Sequence, residues 1–247
     1  MARVSLERAF DSPESKRQHT RALFATIADR YDLITRVLSY GQDARWKRDL
    51  IARAQIRSGE RVLDLAAGTG DVAFAAAAAG ATVIGLDITH RMLQLARLRQ
   101  DHTGQARHQS VEFINGDMAS LPLASATFDA VTTSYGLRNV PDLDDAIDEI
   151  ARVLKPGGRL LSLDFNRPES AVVRNAYLIY LSVVGSALGW LLHRDPDTYR
   201  YIPESIKRYP GARGVADRLA VRGFEQVTII PVLFGLMSIH VARRSVR

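Results

Sequence analysis

Three acids, Asp64, Asp71 and Asp87, stand around the glycine turn Gly68-Thr69-Gly70 in the stretch 61–87, RVLDLAAGTGDVAFAAAAAGATVIGLD. An acid about 20 residues past such a turn is placed to hold ribose hydroxyls. The turn is a poor dinucleotide fingerprint, with Ala66 ahead of its two glycines and Ala73 where a third would stand. A pyrophosphate would rest on the amides that open the next helix, where the carboxylate of Asp71 repels it. No lysine follows the loop, so the phosphate-binding P-loop is excluded. The acids suit a ribose-bearing ligand whose other end is cationic, and S-adenosylmethionine is such a ligand. A plainer reading of Asp64 and Asp71, as a strand-end acid and a helix-start acid, stands beside it.

The surrounding pattern positions these residues. Val62, Leu63 and Leu65 form a short apolar run, an alanine-rich helix follows until Gly80, and a second run ends on Asp87, which is a βαβ unit. Thr89 is placed to cap a helix with Met92, Leu93, Leu95, Ala96 and Leu98 inward and Arg91, Arg97 and Arg99 in water. The polar stretch 101–110 reads as a loop and 111–114 as a strand, after which Asn115-Gly116-Asp117-Met118 brings another acid to the same sheet edge. A strand at 128–133 ends on Ser134-Tyr135-Gly136-Leu137-Arg138-Asn139. Pro141 and Asp142 open an amphipathic helix through Leu143, Ala146, Ile147, Ile150, Ala151 and Leu154; Lys155-Pro156-Gly157-Gly158 stops it before a strand at 160–165. Alternating strands and helices predict a doubly wound parallel α/β sheet. Periodicity does not order its strands.

Two flanks cover this core. Residues 15–38 read as one amphipathic helix, with Leu23, Phe24, Ile27, Tyr31 and Ile34 at helical spacing, and a second helix runs through Trp46, Leu50 and Ile51. Most of these residues cap the domain, and Tyr31 and Asp32 are the polar ones worth watching. The stretch 176–192, AYLIYLSVVGSALGWLL, carries no charge. It sits at the lower limit of a membrane span, which needs about 20 apolar residues. A lone span would split the sheet, so a buried helix or an apolar lid over a greasy substrate is favoured. Stretches 199–208 and 211–221 read as helices, and 227–232 and 237–241 as final strands. The chain then divides as a single domain into an N-terminal helical cap (1–56), a cofactor-binding core (57–165), a helical lid and substrate region (166–222) and final strands (223–247).

At 247 residues one core suffices. The absence of cysteine excludes disulfides and thiolate chemistry and is compatible with a reducing cytoplasm. The start of the chain lacks the apolar core of a secretory signal. A net charge of +6 favours anionic membrane surfaces, but the basic residues are scattered, so no nucleic-acid groove is expected. His193 and His240 have no spaced partners, and no metal is expected.

The segments LDLAAGTGD, DAVTTSYGLRNVPDLDDAIDEIARVLKPGGRLL and DPDTYRYIPESIKRYP, with FATIADRYDLITRVLSYGQDARWKR near the start, resemble the C-methyltransferases of ubiquinone and menaquinone biosynthesis. These belong to the class I (Rossmann-like) S-adenosylmethionine-dependent methyltransferases. The likeness spans about 23–243; GLRN and RVLKPGG are specific to the family or its near relatives, while the glycine turn is shared by the superfamily. It implies a seven-stranded sheet of order 3-2-1-4-5-7-6 with strand seven antiparallel. It also implies cofactor contacts at Thr69, Asp87, Asp117, Met118 and Ser134, beside Asp64, Gly68 and Gly70 of the turn. Ala66 and Ala67 stand where the family often has glycine, and the segment 176–192 is less polar than usual.

The methyl of a sulfonium is an electrophile, so a ring carbon must be made nucleophilic by ionising an adjacent hydroxyl, which calls for a reduced quinol. Arg138 is the expected stabiliser of the resulting phenolate, because a guanidinium stays charged and holds an oxyanion; Asn139 and Tyr31 are expected to orient the hydroxyl or a water. The expected acceptor is a prenylated quinol, with peripheral contact at the inner face of an anionic membrane. A homodimer is left open. Two rivals stand: another phenolic or polyketide acceptor, and a non-catalytic S-adenosylmethionine-binding scaffold of a quinone-synthesis complex.

Overall fold

The computed structural model describes residues 6–102 and 111–246. Among them, seven strands form one sheet: β1 (Arg61–Leu65), β2 (Thr82–Asp87), β3 (Val111–Asn115), β4 (Phe128–Ser134), β5 (Leu154–Phe165), β6 (Phe224–Val232) and β7 (Met237–Arg244). Their order is β3-β2-β1-β4-β5-β7-β6. The first five pair in parallel, and β7 runs antiparallel to both β5 and β6, as the resemblance implied. Helices α4 (Asp71–Ala78), α5 (His90–His102) and α6 (Leu143–Val153) flank the sheet. Strands covered on both faces read as apolar runs, which is why Val62, Leu63 and Leu65 of β1 are fully buried. Asp142 caps α6, its Oδ1 accepting the amides of Asp144 (2.7 Å) and Asp145 (3.3 Å).

From the N-terminal part come α1 (Pro13–Ile27), α2 (Tyr31–Leu38) and α3 (Asp43–Ala54), and from the segment after β5 come α7 (Ala171–His193), α8 (Tyr201–Arg208) and α9 (Gly211–Val221); α3 and α9 pack on the sheet beside α4 and α6, through Trp46, Leu50 and Ala54 and through Val215 and Leu219. Leu23, Ile27 and Ile34 pack on Tyr199 and Tyr201, joining the two groups.

Several expectations change in detail. The helix expected over 15–38 is broken by a 3-10 turn at Ala28–Arg30. Asp29 pairs there with Arg91 of α5, and Asp32 accepts a hydrogen bond from Thr69 (2.8 Å), so the chain bends onto the core. Strand β5 begins at Leu154, not at 160, with a register shift between Phe128 and Ala130 that accommodates Pro156. Leu98 is half exposed, because it falls off the stripe set by Met92, Leu93 and Ala96. Thr89 is not seen to cap α5 through its hydroxyl; its backbone carbonyl accepts the Met92 amide instead. Of the loop expected at 101–110, residues 103–110 lie outside the described residues, while Asp101 and His102 are helical.

Helix α7 is not the buried helix of the first alternative. Only 28% of its apolar window is covered, by a face that includes Tyr177, Leu178, Leu181 and Gly185.

Candidate active site

Strand β1 ends in a turn that demands left-handed backbone at three positions: Ala66 (φ 54°), Gly68 (φ 56°) and Gly70 (φ 91°). Glycine adopts it freely, whereas Ala66 carries a strain of about 1 kcal/mol. The turn presents the Gly68 amide to Asp87 Oδ2 (2.9 Å), and Asp87 Oδ1 accepts the Thr89 amide (2.7 Å). Burial pushes the Asp87 carboxyl above its ordinary value, against the pull of these two amides. A carboxylate has about four lone-pair sites, so two remain to receive hydroxyls.

Asp87 opens into a cavity of about 640 Å³ whose lining includes Gly68, Asp117, Met118, Ser134, Asn139 and Tyr31. Its floor needs a residue without a side chain at 136, because a Cβ there would stand 2.4 Å from Thr133 Oγ1 and 2.9 Å from Ala66 Cβ. Asn139 donates from Nδ2 to the Tyr135 carbonyl (2.7 Å), while its buried Oδ1 has no partner. A buried acceptor left unmet costs about 1–3 kcal/mol, which a donor on a bound ligand would recover. Asp117 accepts Arg17 Nε from α1 on Oδ2 (2.7 Å) and the Ala119 amide on Oδ1 (2.9 Å). The residues present thus fit S-adenosylmethionine: an acid for ribose hydroxyls, an orphan acceptor, and a close backbone approach.

Asp64, Thr69 and Gly70 do not line this cavity. Asp64 is buried in the sheet, where its Oδ1 accepts the Thr132 hydroxyl (2.8 Å), and burial pushes its carboxyl up to about 7. Thr69 is spent on Asp32. Asp71 is no free charge at the start of α4, because Lys47 (3.0 Å) and Arg99 (2.5 Å) neutralise it. Of the three acids expected around the turn, Asp64 and Asp71 are therefore engaged elsewhere and only Asp87 lines the cavity, together with Asp117, which the resemblance implied.

A second cavity, about 630 Å³ and almost wholly apolar, lies alongside. Leu23, Ile27, Ile34, Leu38 and Ile202 form much of it, and Phe24, Tyr31 and Tyr135 belong to the walls of both cavities. Arg138 is the cation of the apolar cavity. Only 5% exposed, it is held by its amide on Asp164 Oδ2 (3.0 Å), by Nε at 3.4 Å from Asp164 Oδ1, by a hydrogen bond to the Ser205 hydroxyl, and by stacking on Phe165 at 4.9 Å. This is a fixed, partly desolvated guanidinium rather than a surface arginine. Tyr31 is kept neutral, since burial pushes its hydroxyl up to about 12. Helix α7 contributes no residue to this wall and packs behind it, Leu188 and Leu192 backing Tyr199 and Tyr201. His240 bonds the Ala212 carbonyl and His193 bonds Tyr199, and neither lines either cavity.

Sequence reasoning missed Arg17 and a chain of polar contacts behind Tyr135. The Tyr135 hydroxyl donates to Asp43 Oδ1 (2.6 Å), and Lys47 Nζ meets Asp43 Oδ2 (2.7 Å) and Asp71 Oδ2 (3.0 Å). The only signal was the i,i+4 spacing of Asp43 and Lys47, which occurs on many solvated helix faces.

A model described as the ubiE/COQ5 methyltransferase family matches residues 12–244. Among curated proteins, a demethylmenaquinone methyltransferase from Thermus thermophilus is 39% identical over 224 residues, 90% of this chain and 100% of that one. A ubiquinone/menaquinone biosynthesis C-methyltransferase UbiE from Rubrivivax gelatinosus is 38% identical over 231 residues, 93% of this chain and 88% of that one. Among solved structures, a methyltransferase from Thermotoga maritima described as a possible histamine N-methyltransferase superposes with a TM-score of 0.67 at 20% identity, over 92% of this chain and 100% of that one. At that identity the likeness shows the class I methyltransferase fold.

Proposed function

The chain belongs to the ubiE/COQ5 methyltransferase family, and from that premise we propose that its two cavities divide the reaction, the polar one holding the cofactor and the apolar one a prenylated quinol. It is an S-adenosylmethionine-dependent methyltransferase of quinone biosynthesis. When bound, the cofactor supplies an electrophilic methyl group, and the ring carbon that accepts it must approach in line. The observation that carries this reading is the shared wall: Phe24, Tyr31 and Tyr135 border both cavities, so a ring in one meets a ligand in the other there.

Asp87 and Asn139 hold the cofactor, with Asp117, Met118, Ser134 and Gly68 around it. Arg138 stabilises a phenolate in the apolar cavity, where the low local dielectric strengthens its charge. Tyr31, a neutral hydroxyl, orients the quinol. The unpaired face of α7 supports peripheral contact with an anionic membrane, the source of such an acceptor. Ile179, Val183 and Trp190 lie on one exposed stripe, and Arg194 stacks over Trp190 at 5.4 Å.

Labelled S-adenosylmethionine with short-tailed demethylmenaquinol and a benzoquinol precursor, each kept reduced, tests the reading. Label is expected on a ring carbon by mass spectrometry, and the preferred acceptor names the ring. Protein that binds the cofactor yet labels neither acceptor would overturn it.

A further inference from the structure

Ring methylation of a quinol releases one proton per turnover, and among the described residues the apolar cavity is lined by no acceptor for one. Among the described residues its lining contains no carboxylate and no histidine, and Arg138 and the neutral Tyr31 are not bases. In the cofactor cavity both carboxylates are already engaged, Asp87 by two amides and Asp117 by Arg17 and an amide.

One polar path leads away from the junction of the two cavities. Tyr135 borders both, at a left-handed φ of 59° that turns it off the end of β4. Its hydroxyl donates to Asp43 Oδ1 at 2.6 Å, so an oxygen lone pair is left to receive a second donor. Asp43 lies in the first turn of α3, and its side chain keeps 13% exposure, which gives the path an outlet to water. Lys47 holds the other carboxylate oxygen at 2.7 Å and is itself held by Asp71, which bonds Arg99. Burial works against the Lys47 charge, but Asp71 and Asp43 outweigh it and keep the ammonium protonated above its ordinary range. Burial likewise raises the Tyr135 hydroxyl well above its ordinary value, so the oxygen carries its own proton and passes protons on rather than storing negative charge.

We propose that Tyr135 and Asp43 form the proton relay of the reaction, Tyr135 accepting the proton of the quinol hydroxyl next to the target carbon while its own proton moves to Asp43. The quinol O–H bond and the Tyr135 O–H bond break as a new Tyr135 O–H bond and an Asp43 O–H bond form, and the ring is left as a phenolate facing Arg138. After the methyl has joined the ring, Asp43 gives its proton to water at its exposed edge, and the ring C–H proton moves to the ring oxygen as aromaticity is restored. The pair is thus restored and one proton is released. Tyr135 is the catalytic residue of the pair toward substrate; Asp43 acts through it, and Lys47 positions Asp43.

This inference rests on the quinol reading, so the experiment begins with the parent enzyme and a series of reduced acceptors whose hydroxyl acidity is tuned by substituents away from the reacting carbon. Tyr135→Phe deletes one oxygen and Asp43→Asn keeps the shape of the carboxylate, and cofactor affinity is measured on each by calorimetry. The expected result is a kcat loss of about a hundredfold in both variants, the lower range for a positioned acid or base. Cofactor Kd should stay unchanged, and the kcat loss should shrink steadily as the acceptor hydroxyl becomes more acidic. A loss under tenfold, a loss equal across the series, or a loss that follows cofactor Kd would overturn the relay. A parent enzyme that labels no quinol in the series would overturn the quinol reading beneath it instead.

Discussion

The two cavities are nearly equal in size, about 640 and 630 Å³, but they are built from different material. The cofactor side is made largely where strands end: the amides of Gly68 and Thr89, the Asp87 carboxylate they orient, and the bare backbone at Gly136. The acceptor side is made from side chains of α1, α2 and the segment 198–202, closed by an arginine that reaches it from the end of β4. A site held by sheet backbone is rigid and recognises what the family shares. A site lined by side chains from packed helices can be reshaped by substitution, which suits the proposed acceptor cavity.

The largest expected effect is on the acceptor side. Arg138→Lys should lower kcat by about a hundredfold with cofactor Kd unchanged, because an ammonium cannot reproduce the forked contacts to Asp164 and Ser205 or the stacking on Phe165. Arg138→Ala should abolish turnover and also cost about 3–5 kcal/mol of stability in denaturant melts, since Asp164 is left buried without its cation. A parallel loss of cofactor affinity in the lysine variant would erase the division between the cavities. On the cofactor side, Asp87→Ala should weaken binding of S-adenosylhomocysteine by about 10- to 100-fold in calorimetry, the worth of a charged hydrogen-bond acceptor at about 1.5–3 kcal/mol. The acceptor KM at saturating cofactor should not move.

Outside both cavities, Ile179→Ser with Val183→Ser should cut partitioning into anionic vesicles by about tenfold. Both residues are exposed, at 65% and 64%, so turnover of a tailless acceptor and the melting temperature should be unaffected. Equal vesicle binding by parent and variant would remove α7 from the membrane reading. The smallest effect concerns Asp64, beneath the turn. Its carboxyl is raised in the folded state from 3.8 to about 7, mainly by burial. A raised folded value contributes stability that is complete below the unfolded value and is lost as pH rises through the folded one. Asp64→Asn should therefore gain melting temperature relative to the parent between about pH 4 and about pH 8, with cofactor Kd unaltered. A weakened Kd would return Asp64 to the binding site.

The fold was legible because β1 and β2 are short apolar runs closed by the glycine turn and by Asp87, and α6 carries a sharp amphipathic stripe between Asp142 and the Pro156-Gly157 break. The turn acids were harder. Asp64, Asp71 and Asp87 look alike in sequence, and only the direction in which each side chain leaves the backbone separates a cavity-lining acid from a sheet residue and from a partner of Lys47. The apolar stretch 176–192 announced a helix but not its place, because lining a cavity and backing the residues that line it demand the same composition.

Local spacing and backbone demand were enough to set the order of elements, the glycine turn, the acid at the end of β2 and the arginine after β4. Tertiary structure alone decided that Tyr135 would reach Asp43 across 92 residues, that Arg138 would be clamped between Asp164 and Ser205, and that three aromatic residues would wall two cavities at once. Such contacts are made by side chains whose separation along the chain carries no periodic signature. They come into being only when α1, α2, α3 and α8 pack against the sheet and against one another.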